Sequence, residues 1–110
     1  MPKILLKGIP GSSGKTSGKV KILLSPQDAS KMEKDDILVA AETTPQYTFA
    51  IFKASAIVTD FGGTLSHPAI VAREKGIPAV VGTFKATKIL KDGMEVIVDG
   101  TQGVVLKKGR

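Results

Sequence analysis

The sequence predicts a single α/β domain over residues 1–110, and three observations carry that expectation. Apolar runs rich in Val, Ile and Ala are short and bounded by Gly, Pro, Asp or Ser, as strands are. Helix-start signals stand between those runs, so strand and helix signals mix along the chain. The length of 110 residues suits one modest core.

The elements are expected in this order. Gly11–Gly18 is rich in Gly and Ser, follows too short a segment to be an interdomain linker, and reads as a turn-rich opening loop. Lys19–Leu24 (KVKILL) alternates and then turns apolar, a first strand. Ile37–Ala41 (ILVAA) and Ala56–Thr59 (AIVT) read as buried strands, and Ala79–Val81 (AVV) as a short one. Glu95–Asp99 and Gly103–Lys107 flank Gly100-Thr101-Gln102, a hairpin pattern. Three helices fit between. The first has Thr44 as N-cap and Pro45 in its first turn, and runs to about Lys53. The second opens at Ser66-His67-Pro68 and stops at Gly76, a residue suited to a helix C-cap. The third covers about Phe84–Leu90.

Composition narrows the class. Hydrophobic residues make up 42% and charged residues 24%, an ordinary globular balance. With no cysteine there is neither a disulfide framework nor a thiolate metal site, which fits a reducing compartment. No apolar run approaches the roughly 20 residues needed to cross a bilayer, and the apolar run near Met1 is too short for a signal peptide. A cytoplasmic protein that engages no membrane is expected. The net charge is +6, but the basic residues scatter instead of forming a stripe, and the aromatic residues are Tyr47 and four Phe. That pattern suits a solvated surface or an anionic partner better than nucleic acid.

The segment Thr59–Gly82, TDFGGTLSHPAIVAREKGIPAVVG, carries the chemistry. A buried strand runs into Gly62-Gly63, where missing side chains permit tight geometry and close approach. The only histidine of the chain, His67, follows at the mouth of a helix. Helix N-termini offer unpaired N–H groups and a positive dipole end, both favourable to phosphate. Ser66 adds a hydroxyl. A neutral imidazole is a competent nucleophile and can split a group transfer into two steps. By position alone a lone histidine in a helix first turn is more often a surface or capping residue.

Other chemistries fit less well. His67 has no Cys, second His or carboxylate at helical spacing to complete a metal site, and Glu74 lies two turns away. Ser66 and His67 are neighbours and cannot face each other as nucleophile and base on one helix. Gly14-Lys15-Thr16 imitates the end of a nucleotide-binding loop, but that motif needs its first glycine at position 9, which is Ile9, and a strand before the loop with a helix after it.

GGTLSHPAIVAREKGIPAVVG resembles the signature of the phosphohistidine swivelling domain of the phosphoenolpyruvate-utilising enzymes. Gly62, Gly63, Ser66, His67, Ala69, Ile70, Ala72, Arg73, Glu74, Gly76, Ile77, Pro78, Ala79, Val80, Val81 and Gly82 all match it. DILVAAETTPQYTFAIFKASAIVTD is similar to the block that precedes this signature, and ATKILKDGMEVIVDGTQGVV to its closing helix and hairpin. Ser13 and Pro68 depart from the pattern, where proline and alanine or threonine are usual.

The resemblance implies a compact β/β/α swivelling fold and a phosphoryl carrier in which His67 is transiently phosphorylated, with Nε2 as the reacting atom. It implies that Thr44 and Ser66 hold the imidazole or the phosphoryl group, and that Gly62 and Gly63 form a close-approach turn. Arg73 assists the phosphate or pairs structurally with Glu74 or Asp60; its distance along the helix favours the structural role. No cofactor is expected on this domain. An ATP-grasp-like nucleotide domain and a (β/α)8 domain with Mg²⁺ and phosphoenolpyruvate or pyruvate are implied as partners, and neither fits in 110 residues. The chain is therefore expected to be inert alone, as an excised domain or as a small gene product running from Met1 to Arg110. The alternative is a regulatory or phosphate-binding module that keeps the fold without turnover.

Overall fold

The structure, a computed structural model, describes residues 3–109. Within them the chain forms strands β1 (Ile4–Lys7), β2 (Ile9–Ser12), β3 (Lys15–Ile22), β4 (Ile37–Ala40), β5 (Ala56–Thr59), β6 (Ala79–Val81), β7 (Glu95–Asp99) and β8 (Val104–Lys107). Helices are α1 (Thr48–Lys53), α2 (His67–Lys75) and α3 (Ala86–Ile89), with 3₁₀ turns at Pro26–Lys31 and Pro45–Tyr47. No described helix is long and apolar enough to cross a membrane.

The strand order is β1-β8-β7-β3-β4-β5-β6-β2. The middle of the sheet, β3-β4-β5-β6, is parallel, and the pairs toward both edges are antiparallel. The edge strands β1 and β2 are separated in the chain by Gly8 alone, so the sheet must curl until its ends meet. Gly8 sits at that seam. Its N–H donates to the Gly103 carbonyl at 2.8 Å, and a Cβ there would lie 2.5 Å from the Val81 carbonyl oxygen.

The parallel strands bury both faces, which is why they read as continuous apolar runs. In β4, Ile37 and Val39 join an inner cluster with Val20, Val58, Val80, Val96, Val98 and Leu90. Leu38 and Ala40 point the other way and pack with Ile57, Ala50, Ile51 and Ala72 under α1 and α2. The period of two thus divides one strand between two cores. α3 closes the inner core with Ala86. Sheet, second sheet half and outer helices make the expected β/β/α arrangement.

The expectation of a loop at Gly11–Gly18 is corrected: Ile9–Ser12 and Lys15–Ile22 are strands. Lys15 and Thr16, part of the apparent nucleotide loop, pair with Asp99 and Val98 in the sheet. Glycine is required by packing here, since a Cβ on Gly18 would lie 2.8 Å from the Asp35 carbonyl oxygen. β1 and the turn at Pro26–Lys31 were not anticipated, and the strand expected to reach Leu24 stops at Ile22. The first expected helix divides into the 3₁₀ turn at Pro45–Tyr47 and α1. The third contracts to Ala86–Ile89, with Thr83 Oγ1 accepting from the Ala86 N–H at 3.2 Å.

Candidate functional site

The parallel strands deliver their C-terminal ends to one side of the domain, the end at which α/β sheets usually carry their sites. β4 leads to Thr43, β5 leads to the loop Asp60–Ser66, and α2 begins at His67. Ladder bonds continue past the strand ends and tie these segments together. Asp60 N–H donates to the Ala40 carbonyl at 3.1 Å and Phe61 N–H to the Ala41 carbonyl at 2.9 Å.

His67 is half-buried in the first turn of α2. Its Nδ1 lies 3.0 Å from the hydroxyl of Thr43, a side chain only 4% exposed. Nδ1 is thereby occupied, and Nε2 finds no partner among the described residues. Which ring nitrogen carries the proton follows from what each one faces.

The resemblance implied that Thr44 and Ser66 hold the imidazole or the phosphoryl group, whereas the hydroxyl in contact with the ring is that of Thr43. Thr44 Oγ1 accepts the Gln46 N–H at 3.3 Å and caps the turn at Pro45–Tyr47. The missed residue, Thr43, had a readable signal. Thr44 before Pro45 is the natural cap, and capping turns its hydroxyl toward the N–H groups of the following turn. Its neighbour was the remaining candidate.

Ser66 occupies the N-cap position of α2 without making a side-chain cap bond. Its Oγ donates instead to the Gly63 carbonyl at 2.7 Å and closes the loop that precedes His67. Gly62 has φ of +125°, and a Cβ there would lie 2.7 Å from Ser66 Oγ. Gly63 differs: nothing lies within 4 Å of where its Cβ would stand. So Gly62 is demanded by the loop, whereas Gly63 offers bare backbone to the outside.

Arg73 reaches neither Glu74 nor Asp60. Its Nη1 donates to the Gly11 carbonyl at 2.7 Å, fastening α2 to β2. Asp60 serves α3, accepting from the Thr87 N–H at 2.9 Å and from the Thr87 hydroxyl. At the far end of α2, Lys75 Nζ donates to the carbonyls of Ile51, Phe52 and Ala54 and caps α1. Burial pushes the Lys75 ammonium pKa down, with Asp35 opposing. A cleft of about 450 Å³ opens beside Lys75 and Gly76, at the opposite end of α2 from His67. No group of three or more His, Asp or Glu side chains able to hold a metal occurs among the described residues.

The first turn of α2 is the arrangement's second asset. Helix geometry leaves its first N–H groups without intrahelical partners, and the dipole favours negative charge there. Pro68 has no N–H, so the donors of this turn fall to His67 and Ala69. A half-buried imidazole held through Nδ1 at such a place is fit to carry an anionic group on Nε2.

The family model for the mobile domain of PEP-utilising enzymes matches residues 32–103. A probable phosphoenolpyruvate synthase of Archaeoglobus fulgidus is 58% identical over 103 residues, 94% of this chain and 14% of that protein. The phosphoenolpyruvate synthase of Aeropyrum pernix is 57% identical over 94% of this chain and 13% of its own length. The rifampicin phosphotransferase of Bacillus cereus is 42% identical over 96% of the chain and 12% of its own length. The chain therefore spans about one-seventh of the curated relatives it matches. Among solved structures, an Enzyme I protein determined by NMR in solution superposes with a TM-score of 0.64 at 38% identity, covering 76% of this chain and 34% of that one. Thermococcus kodakaraensis aconitase X superposes with a TM-score of 0.67 at 26% identity over 92% of this chain and 95% of that one. With most of its length matched by the family model and nearly all of it by close relatives, the chain belongs to the mobile-domain family of PEP-utilising enzymes.

Proposed function

We propose that the chain is a phosphoryl carrier, with His67 Nε2 taking a phosphoryl group at one site and surrendering it at another. The observation that carries this is the Thr43–His67 pair at 3.0 Å, which engages Nδ1 and leaves Nε2 as the open nitrogen. In the first step the Nε2 lone pair forms a bond to phosphorus as the bond from phosphorus to the leaving oxygen breaks. The leaving oxygen keeps that electron pair. Nδ1 retains its proton, donated toward Thr43 Oγ1, and the ring becomes a phosphorylated imidazolium. In the second step an acceptor oxygen attacks phosphorus, and the N–P electron pair returns to Nε2. The chain's own residues fix the ring, supply the α2 N-terminus to the anion, and contribute the Gly62–Ser66 loop as a wall.

Donor and acceptor lie on other domains or chains. An ATP-grasp-like nucleotide domain and a (β/α)8 domain that binds phosphoenolpyruvate or pyruvate with Mg²⁺ fit the roles, in the cytoplasm where those metabolites are held. The small share of each relative that this chain spans supports such an assembly. Alone, the domain turns nothing over.

The test is incubation with a phosphoenolpyruvate synthase and its phosphoryl donor, followed by phosphate analysis. Acid-labile, alkali-stable phosphate on His67 is expected, and equal labelling of His67→Ala sinks the proposal. A second reading has one observation in its favour. The fold recurs over nearly the whole of aconitase X, so the fold by itself does not require histidine chemistry. A regulatory or phosphate-binding module that keeps the fold without turnover would form no phosphohistidine with any donor.

A further inference from the structure

Two of the five aromatic residues of the chain stand beside the His67 loop and do nothing for the core. Phe61, at the start of that loop, is 53% exposed, and Phe84, just beyond β6, is 69% exposed. Their rings meet edge to face with centroids 6.4 Å apart and planes at 76°. Leu65, two residues before His67, is 83% exposed. The segment after β6 is tied to the same strand end as the loop, by Thr83 N–H to the Thr59 carbonyl at 3.1 Å and Phe84 N–H to the Asp60 carbonyl at 2.8 Å. Phe84 does this with φ of +67°, a left-handed conformation that costs an aromatic residue about 1–2 kcal/mol. The fold thus holds a strained backbone where an apolar ring meets solvent, beside the end of β5 from which the His67 loop departs.

We infer that Phe61, Leu65 and Phe84 form an apolar collar through which the His67 face docks on the catalytic domain that exchanges its phosphoryl group. This rests on the carrier reading of His67 and names the partner's surface chemistry. The occupant is a protein surface with an apolar recess edged by carboxylates. Exposed Lys85, next to Phe84, and exposed Lys88, one turn further on, supply the complementary positive rim. A phosphoryl group on Nε2 must be kept from water while it is passed, and apolar rings closing around the histidine exclude it. Buried aromatic anchors with a charged rim are the usual anatomy of such contacts. The relatives carry most of their length outside the matched segment, so the surface to be met belongs to the same kind of protein.

The experiment compares two phosphoryl donors on the full chain. Phosphoramidate is small and needs no docking. The other donor is the full-length Archaeoglobus fulgidus protein, loaded with radiolabelled phosphoenolpyruvate and Mg²⁺, with alanine at its own counterpart of His67. Phe84→Gly, which suits the left-handed backbone and so keeps the fold, and Phe61→Ser should each lower kcat/KM for labelling by the enzyme about tenfold. Labelling by phosphoramidate should stay within about twofold for both, as expected where the loss lies in contact and not in the histidine. Equal rates for wild type and variants with the enzyme overturn the collar, as does a wild-type chain that phosphoramidate labels and the enzyme does not. A wild-type dimer that Phe84→Gly renders monomeric in sedimentation overturns it also, because the occupant would then be a second copy. Labelling of His67 by neither donor overturns the carrier reading itself.

Discussion

The hydroxyl of Thr43 lies 3.0 Å from Nδ1 of His67, joining the exit of β4 to the first turn of α2 across 24 residues of sequence. This contact fixes the imidazole and decides which nitrogen faces outward. A hydrogen bond to a ring that becomes charged is worth about 1.5–3 kcal/mol, so Thr43→Val should slow phosphoryl acceptance at His67 by about tenfold to a hundredfold. Thr43→Ser should restore most of it. Because His67 is the only histidine, nitrogen NMR of the ring reports the tautomer directly, and Thr43→Val should mix the two neutral forms. An unchanged tautomer and rate would remove Thr43 from the site.

The two loop glycines should separate in a stability assay. Gly62→Ala places a Cβ 2.7 Å from Ser66 Oγ on a backbone with φ of +125°. A loss of about 1–3 kcal/mol in urea denaturation is expected, together with slower labelling of His67. Gly63→Ala meets nothing within 4 Å and should cost less than about 0.5 kcal/mol.

Gly100 offers a sharper test of the curled sheet. A Cβ there would sit 1.9 Å from the Ser12 carbonyl oxygen and 2.9 Å from the Ala79 nitrogen. Backbone cannot yield as a side chain can, so Gly100→Ala should cost more than about 2 kcal/mol. A near-neutral result would mean that β2 does not lie against the β7–β8 turn.

Arg73 is expected to matter for stability first. Its removal leaves the buried Gly11 carbonyl without its 2.7 Å donor, and Arg73→Met should cost about 1–3 kcal/mol in the same assay. If labelling of His67 falls further than the folded fraction does, the phosphate-assisting role returns.

Tyr47 gives the chain an alkaline limit. Burial, and after it the carboxylates of Asp28 and Glu42, push its phenol pKa above the ordinary 10.0. The folded state then holds the proton to higher pH than the unfolded chain does. The associated stability is complete below pH 10.0 and is lost as pH rises through the folded value. As the only tyrosine, it can be followed by phenolate absorbance. Tyr47→Phe should flatten the alkaline decline, and an identical decline would place its origin elsewhere.

What the sequence determined by itself was local. The segment from Gly62 to Gly82 holds its cap position, proline, histidine and terminal glycine in one short stretch, so helix start, helix stop and the candidate histidine were legible together. The buried parallel strands were legible too, because apolar residues on both faces leave an unbroken run. Tertiary structure alone decided the rest. Within Gly11–Gly18 all but Ser13 and Gly14 became strand because pairing partners, which no side-chain period records, lay in β6 and β7. Arg73 found a carbonyl 62 residues away, and the ring of His67 found Thr43 instead of Thr44. Such contacts depend on where the chain turns at the end of a strand, and a shift of one residue there exchanges the side chain facing the site for its neighbour.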